Sequence, residues 1–495
     1  MNYLNRYYTT ILKFLDKKIP FYRYYDEEYS YQDLKLFCLK FLTFIKKKRK
    51  KKKLTIATYS NKSFEMYASI FPILLSNSTW VPLSIEYPFE RLINICEQVK
   101  PDILLFDENI DNKIIQRMQT KIHNCRFIKY EMINNIKLKD KINFDKYVNK
   151  ISYDNTAFIY FTSGSTGLPK GIKVSHSNII NQVYFQIKSL YNIKKNNLIF
   201  GDYYNTAFSI FFDIYFPAIF LGSCLSPSKK KYENFLILDH LNENKINILV
   251  CVPSTFERLR LYYKDKLRIN LKNLLFTGEP FYLGLLKYVL KVSNSKRIYN
   301  CYGGTEMGNW VFYHKCKKND LISFKNDNLV PIGKPFDGNI VRIEKNSELV
   351  VKSKTISNGY LDNKLNSKFI FSKNKNTFYT SDKVIKKGGV YLCKGRIDKM
   401  VKISGYRVEI SEVEANFYKL KFIRQCVVYL KKKDSYNFIL CAAVSLSKKD
   451  KRNNETLIRY QLKKYLPPYM IPKRIDIYKS LPLNINGKID RKRFS

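Results

Sequence analysis

Residues 157–171 read AFIYFTSGSTGLPKG, an apolar run followed by a loop of small and hydroxyl-bearing residues. The apolar run predicts a buried strand. Gly164, Gly167 and Gly171 fall within eight residues of a chain that has only 18 glycines. Such a loop offers free backbone N–H groups and hydroxyls, and Lys170 adds a positive charge. The pattern predicts a polyphosphate site. It is not the P-loop GxxxxGK[ST], because position 169, directly before the lysine, is Pro.

Short apolar runs alternate with amphipathic stretches on both sides of this loop, beginning with LTIATYS (54–60) and including INILVCVP (246–253). Strands joined by helices in this way predict an α/β fold with a largely parallel sheet. Near Asp398 these segments give way to mixed short strands and helices. We therefore expect a large N-terminal domain, residues 1–397, and a small α+β C-terminal lid domain, residues 398–495.

The charge composition is strongly basic, with 88 Lys and Arg against 42 Asp and Glu and a net charge of +46. Such an excess is typical of proteins that bind nucleic acid or anionic membranes. The chain is also rich in Lys, Asn, Ile, Tyr and Phe, a bias typical of an AT-rich genome. We therefore expect no specific nucleic-acid partner, and we interpret the basic run at residues 46–53 as a solvated loop.

The ten cysteines include no CxxC pair, and the N-terminal residues carry no secretory signal pattern. We expect reduced thiols in a cytoplasmic protein without a transmembrane segment. The most apolar stretch, Thr206 to Leu225, contains Asp213, Pro217 and Gly222, so it predicts a buried helix with a loop.

The loop TSGSTGLPKG resembles the phosphate loop of the adenylate-forming superfamily, which includes acyl-CoA synthetases, luciferases and peptide-synthetase adenylation domains. Further motifs of that family follow in its order: WVPLSIEYPFERL (80–92), FTGEPF (276–281), NCYGGTE (300–306), FYTSD (378–382), GRIDKMVKISGYRVEISEVE (395–414) and NGKIDR (486–491). Several of them are similar to stand-alone D-alanine ligases that charge a carrier protein. The resemblance spans about residues 30 to 493 and implies an active site in the cleft between a large and a small domain.

The resemblance implies a first reaction in which a carboxylate attacks ATP, releasing pyrophosphate and leaving an acyl-adenylate. It implies ATP and Mg²⁺ as cofactors. Lys488 matches the lysine that bridges the carboxylate and the α-phosphate, and Thr305 matches a hydroxyl contact to that phosphate. Glu306 matches the carboxylate that holds Mg²⁺, a hard cation suited to one carboxylate plus phosphate oxygens.

The nucleotide site implied by the resemblance surrounds the phosphate loop. Tyr302 would stack on adenine, and Asp382 would accept hydrogen bonds from both ribose hydroxyls, with Arg396 as its companion. The implied ATP-binding residues are Thr162, Ser163, Gly164, Ser165, Thr166, Gly167, Lys170, Tyr302, Gly303, Asp382 and Arg396.

The resemblance also places a hinge at Asp398, about which the small domain swings between adenylate formation and thioester formation. Gly405 would then face the pantetheine channel. Three small residues depart from the family motifs, namely Ser381 and Ser347 for glycine and Gly304 for proline. We expect altered loops there with the chemistry intact.

The substrate pocket departs more sharply from the resemblance. Amino-acid-activating members carry an Asp that pairs with the substrate ammonium, and the aligned residue here is Ser209, which supplies no charge. Asp213 lies four residues on, hence on the same face of a helix. Three alternatives stay open. Asp213 binds the substrate ammonium in place of the usual Asp, the substrate is a hydroxy, keto or aryl acid without an ammonium, or Asp213 has a purely structural role. Trp310 would shorten the pocket and favour a small acid. The implied pocket residues are Ser209, Asp213, Cys251, Thr277, Gly278, Cys301 and Trp310.

Taken together, the motifs predict an ATP-dependent ligase that adenylates a small amino acid or similar acid and passes it to the phosphopantetheine of a separate carrier protein. The alternative is an acyl-CoA or aryl-CoA ligase with free CoA as acceptor. A third interpretation, a non-catalytic protein whose charge attracts nucleic acid, leaves the motif series unexplained.

Overall fold

Helices and strands alternate along most of the chain. The structure, a computed structural model, describes residues 3–24, 26–48, 53–138, 141–164, 168–191, 198–228, 237–398, 400–403, 405–432, 438–446, 454–482 and 489–494. The α-helices, α1 to α15 in chain order, are Tyr3–Leu12, Tyr31–Lys48, Phe64–Leu75, Phe89–Val99, Asn112–Lys121, Tyr130–Asn134, Phe144–Val148, His176–Gln186, Phe212–Phe220, Ile237–Glu243, Pro253–Tyr263, Leu283–Val292, Asp320–Ser323, Ile410–Tyr418 and Glu455–Leu462. The strands, β1 to β25, are Pro20–Tyr24, Glu27–Ser30, Thr55–Tyr59, Thr79–Leu83, Ile103–Phe106, Arg126–Lys129, Thr156–Thr162, Lys170–Ser175, Ile199–Asp202, Cys224–Pro227, Ile248–Cys251, Asn273–Phe276, Arg297–Gly304, Asn309–Lys315, Lys334–Pro335, Ile340–Ile343, Glu348–Ser353, Phe369–Ile370, Asn376–Lys387, Val390–Arg396, Met400–Ile403, Tyr406–Glu409, Ile423–Lys432, Phe438–Leu446 and Arg474–Tyr478.

Two large sheets form the centre of the N-terminal part. One has the order β6-β5-β3-β4-β7-β8 and is parallel except for β8. The other has the order β15-β14-β13-β12-β11-β9-β10-β1-β2 and is parallel from β13 to β1. Short strands such as β11 and β12 are buried along their whole length, as is typical of parallel sheets covered by helices on both faces. The predicted α/β fold with largely parallel sheets is confirmed.

A third sheet of the N-terminal part brings two predicted site residues together. It has the order β16-β17-β19-β18, with β20 paired to β19. The antiparallel register of β19 and β20 places Asp382 directly opposite Arg396.

The chain after Asp398 builds a smaller α+β unit. Strands β21 and β22 form a hairpin, and β23, β24 and β25 form a three-stranded sheet. Apolar side chains of this sheet and of α14 and α15, including Val413, Phe417, Val428 and Ile458, form a core of their own. A large N-terminal part and a small α+β C-terminal part are thus confirmed, and the exact boundary at 397/398 stays a prediction.

Two local predictions meet different outcomes. The apolar stretch 206–225 forms a short 3₁₀ helix, Ser209–Phe211, followed by the buried helix α9 and a turn, as predicted. The basic run at 46–53 was predicted as a loop, but α2 continues through Lys48, because lysine has a good helix propensity and nothing before Lys48 ends the helix. Residues 49–52 lie outside the described residues.

All ten cysteines are free thiols. In the described ranges, no helix combines the length and the apolarity that crossing a membrane requires.

Candidate functional site

A cavity of about 560 Å³ lies where strand ends of the N-terminal part meet the hairpin β21–β22. Most of the predicted site residues line it. They are Thr162, Ser163, Lys170, Ser209, Asp213, Thr277, Gly278, Gly303, Thr305, Glu306, Trp310, Asp382, Arg396 and Asp398.

The remaining predicted residues lie elsewhere. Tyr302 and Cys301 line an adjoining cavity of about 570 Å³, which also shares Gly278 and Asp382 with the first. Cys251 lines neither cavity: its side chain is buried in the core formed by β11, β12 and α11. Ser165, Thr166, Gly167 and Lys488 fall outside the described residues.

Asp382 is held in a fixed orientation by two donors. The Tyr302 hydroxyl donates to Oδ2 at 2.5 Å and the Arg396 guanidinium donates to Oδ1 at 2.8 Å. Burial and the neighbouring Asp382 charge raise the pKa of Tyr302, so the phenol stays a donor. Each carboxylate oxygen keeps a second lone pair, so Asp382 can still accept two further hydroxyl donors.

Asp398 follows β20 and lies in a network of cations. Arg396 binds it through Nε at 2.6 Å and Nη2 at 2.7 Å, and Lys368 donates to it at 3.2 Å. Burial raises the pKa of Asp398, but the bonds from Arg396 and the charge of Lys368 outweigh it and lower the pKa to about 2. The side chain is therefore ionised throughout the neutral range.

Two of the small residues that depart from the family motifs keep a glycine-like backbone. Ser381 has φ +58° and Ser347 has φ +66°, both in the left-handed region that favours glycine. Both serines thus adopt a backbone conformation that is strained for a residue with a side chain. Ser381 also accepts a hydrogen bond from Lys368 at 2.7 Å.

Glu306 presents an ionised carboxylate to the cavity from a short 3₁₀ helix after β13. Its Oε1 accepts hydrogen bonds from the Tyr360 hydroxyl at 2.7 Å and from Arg407. Burial raises its pKa, but the Arg407 charge and the Tyr360 bond reverse the effect and lower the pKa to about 2. The end of β13 requires glycine at position 303, because a Cβ there would lie 1.5 Å from the Asn309 carbonyl oxygen.

The residues present fit a Mg²⁺ ion that is held jointly with phosphates. Mg²⁺ usually takes one or two carboxylates plus substrate phosphate oxygens. Glu306 supplies one such carboxylate, and within the described residues no group of three His, Cys, Asp or Glu side chains could hold a metal on its own. Arg407 forms an ion pair with the Glu306 carboxylate in this arrangement, so a metal can bind Glu306 only after Arg407 moves away.

Residues of the C-terminal part contact the phosphate loop directly. The Ser163 hydroxyl donates to the Arg407 carbonyl at 3.0 Å, and the Gly164 N–H donates to Glu412 Oε2 at 2.9 Å. Glu412 also forms an ion pair with Arg91 at 2.7 Å, in which both side chains are almost fully buried. The loop amide that we predicted for phosphate is thus bonded to a carboxylate here.

The hairpin β21–β22 also contacts the segment FTGEPF, residues 276–281. The Gly405 N–H donates to Glu279 Oε1 at 2.8 Å. Gly405 has φ +80°, and a Cβ at this position would lie 2.5 Å from Val252 Cγ1. Only glycine passes between these neighbours without strain.

Sequence reasoning did not single out Arg91, Glu279, Arg407 or Glu412, although each makes a contact that joins the two parts. All four lie inside motifs quoted above. Their position inside those motifs could have marked them as candidate site residues. The motifs do not indicate which residues they contact.

The far end of the cavity holds a buried carboxyl group. Gln186 Nε2 donates to Asp213 Oδ1 at 2.6 Å. Burial raises the pKa of Asp213 well above its usual value, against the opposing bonds from Gln186 and Asn309. Beside it, the Trp310 indole N–H donates to Thr277 Oγ1 at 2.9 Å, which fixes the ring. Ser209, in the short 3₁₀ helix, and Asp213, in α9, both line the cavity.

Comparisons with known proteins cover almost the whole chain. The family described as AMP-binding enzyme matches residues 13–361, and the AMP-binding enzyme C-terminal domain matches residues 412–488. A D-alanine–D-alanyl carrier protein ligase of Staphylococcus haemolyticus is 27% identical over 481 residues, which is 95% of this chain and 94% of that protein. The protein of the same name from Lactococcus lactis is 28% identical, with 88% of each chain covered. Among solved structures, the Vibrio cholerae adenylation domain AlmE in complex with glycyl-adenosine-5′-phosphate has a TM-score of 0.80 at 20% identity, covering 100% of this chain and 98% of that one.

Proposed function

Because this chain belongs to the family of AMP-binding enzymes, we propose that it is an ATP-dependent ligase for a small amino acid. In the first reaction it joins the amino-acid carboxylate to AMP and releases pyrophosphate. In the second it passes the aminoacyl group to the phosphopantetheine thiol of a separate carrier protein. The observation that carries the proposal is the single cavity that is lined by Asp382, Glu306, the phosphate loop and Asp213.

The nucleotide half of the site is supported by the fixed carboxylate of Asp382, which we assign to the ribose hydroxyls. Tyr302 and Gly278 line the adjoining cavity, where the adenine ring has a flat aromatic neighbour. Thr162, Ser163 and Lys170 are assigned to the phosphates. Mg²⁺ held by Glu306 would neutralise phosphate charge while the carboxylate approaches.

The chemical difficulty of the first reaction is that two anions must meet while charge accumulates at the α-phosphate. We assign Thr305 to donate a hydroxyl there and Lys488 to bridge the attacking carboxylate and the phosphate. An ammonium on a flexible stem suits this role. Both assignments come from the motifs, and Thr305 lines the cavity.

The second reaction is supported by the arrangement of the C-terminal part. Arg407 donates a hydrogen bond to the Glu306 carboxylate, and Glu412 accepts one from the Gly164 N–H. Glu306 and the Gly164 N–H are the groups that we assign to the metal and to the phosphates of ATP. This arrangement therefore fits the state after pyrophosphate has left. We propose that rotation at Asp398 exchanges it for an adenylating arrangement.

The acceptor is proposed from the sequence relatives, which are named carrier protein ligases. CoA as acceptor is the second candidate, because Ser209 stands where the resemblance expects an ammonium-binding Asp. All ten cysteines are free, which agrees with the reducing cytoplasm that we propose for the enzyme.

The test is to incubate the enzyme with ATP, Mg²⁺ and labelled D-alanine, the acid named in the relatives. The D-alanyl carrier protein of Lactococcus lactis with phosphopantetheine, the same protein without it, and CoA are offered separately. We expect label on the first acceptor in a thioester that hydroxylamine cleaves. Label on CoA alone contradicts the proposed acceptor.

A further inference from the structure

Asp213 differs from the other buried carboxylates around the cavity. Glu306 is paired with Arg407, Asp382 with Arg396, and Glu412 with Arg91. Asp213 is 1% exposed and lines the cavity, but within the described part of the chain no basic side chain forms an ion pair with it. Its hydrogen-bond partners are the neutral amides of Gln186 and Asn309.

A second polar group at this end of the cavity lacks a partner. Tyr160 is 2% exposed, lines the same cavity, and its hydroxyl has no hydrogen-bond partner. A buried hydroxyl without a partner costs stability, so its retention beside a binding cavity points to a ligand. Burial raises the pKa of Tyr160, and the charge of Asp213 raises it further.

We propose that Asp213 binds the substrate's α-ammonium group, with the Tyr160 hydroxyl as a neighbouring acceptor. This inference rests on the proposed function, since it requires an amino-acid substrate. A carboxylate offers about four lone-pair positions, so the bonds from Gln186 and Asn309 leave room for an ammonium. Asp213 thereby supplies, one helical turn away, the charge that Ser209 lacks.

The neighbours of Asp213 make ammonium binding a proton-linked event. The side chains around it are Tyr160 on β7, Gln186 on α8, Tyr191 after α8, Cys301 on β13 and Asn309 on β14. Burial raises the pKa of both tyrosines and of the cysteine, so all three stay neutral. Burial likewise raises the pKa of Asp213, and an ammonium placed against this carboxyl group lowers that pKa, so ammonium binding favours the ionised carboxylate.

The geometry also limits the size of the acid. The Trp310 ring, fixed by Thr277, lines the same cavity as Asp213, together with Ile210 and Met307. These bulky side chains favour a short substrate side chain. The substrate class is thus a small α-amino acid whose ammonium lies at Asp213 and whose carboxylate points toward Thr305.

The experiment compares the wild type with Asp213→Asn, which keeps the shape and the acceptor for Gln186 but removes the charge. Pyrophosphate exchange is measured with D- and L-alanine, glycine and the amine-free acid propionate. We expect Asp213→Asn to lower kcat/KM for the amino acid by about 100-fold or more, mainly through KM. The KM for ATP and the weak exchange with propionate stay unchanged. Ser209→Asp in the Asp213→Asn background restores part of the amino-acid activity.

Three other outcomes are distinguishable. If the wild type and Asp213→Asn activate the amino acid with the same KM, this inference is wrong and the proposed function stands. If the wild type activates propionate but no amino acid, the proposed substrate and this inference both fail. If Asp213→Asn does not fold, calorimetry of ligand binding to the wild type decides. Binding of alanine much more tightly than propionate supports the inference, and equal binding of the two overturns it.

Discussion

Replacing Glu412 with Gln tests whether one buried ion pair holds the C-terminal part on the phosphate loop. Glu412 joins Arg91, 321 residues away in the chain, to the Gly164 N–H. The Arg91 and Glu412 side chains are 4% and 2% exposed. Gln keeps the size of Glu412 but leaves the Arg91 charge buried without a counter-ion, beside the Tyr87 ring.

The magnitude follows from the burial of the pair. Removing one partner of a buried ion pair costs about 3–5 kcal/mol, because the other charge stays uncompensated. At about 1.4 kcal/mol per factor of ten, this is roughly two to four powers of ten. The loss destabilises the arrangement in which the C-terminal part contacts the phosphate loop, which we call the docked arrangement. It does not destabilise either folded part by itself, since the two residues lie in different parts. The docked arrangement therefore loses population, and the Gly164 amide becomes free for phosphate.

The assay measures the two half-reactions separately. We expect Glu412→Gln to slow aminoacyl transfer to the carrier protein by at least about tenfold and to leave pyrophosphate exchange unchanged or faster. The matched control is Glu455→Gln, which removes a half-exposed carboxylate paired with Arg459 within α15. It leaves both half-reactions unchanged. An equal fall in both half-reactions of Glu412→Gln, or no change in either, refutes the reasoning.

Three further predictions concern other contacts of the cavity. Asp382→Asn removes the charged partner of Arg396, so we expect the KM for ATP to rise by about tenfold or more, and an unchanged KM contradicts the ribose assignment. Gly405→Ala places a Cβ 2.5 Å from Val252 Cγ1, so transfer slows while pyrophosphate exchange persists; transfer at the wild-type rate contradicts the docked hairpin. The pKa of Glu306 is lowered from 4.5 to about 2, so its contribution to stability is complete above pH 4.5 and is lost as the pH falls toward 2. We therefore expect the free energy of urea unfolding of the wild type to fall between pH 6 and 3. The contribution of Glu306, on the order of 3 kcal/mol when it is lost completely, is absent in Glu306→Gln. Parallel pH curves for the two proteins contradict this prediction.

The sequence predicted the fold and the local parts of the site because both depend on short-range patterns. Apolar runs of strand length predicted the parallel sheets. The resemblance implied the pairing of Asp382 with Arg396, and the register of two adjacent strands places these residues opposite each other. The left-handed backbone at Ser381 and Ser347 lies where the resemblance expects glycine.

The contacts between the two parts were not predictable in the same way. Arg91 with Glu412 and Glu306 with Arg407 are separated by 321 and 101 residues, and each pair forms only through the docking of one folded part on another. The position of Cys251 illustrates a second limit. Successive residues of a strand point to opposite faces, so a shift of one residue places Val252 in the cavity and Cys251 in the core.

The most direct test of the account is acid-dependent exchange of pyrophosphate into ATP over D- and L-amino acids and matched hydroxy and aryl acids. Lys488→Ala serves as the inactive control, since Lys488 is assigned to the α-phosphate. The account predicts exchange with a small amino acid and its loss in Lys488→Ala. Exchange only with acids that lack an amine, or exchange that persists in Lys488→Ala, contradicts it.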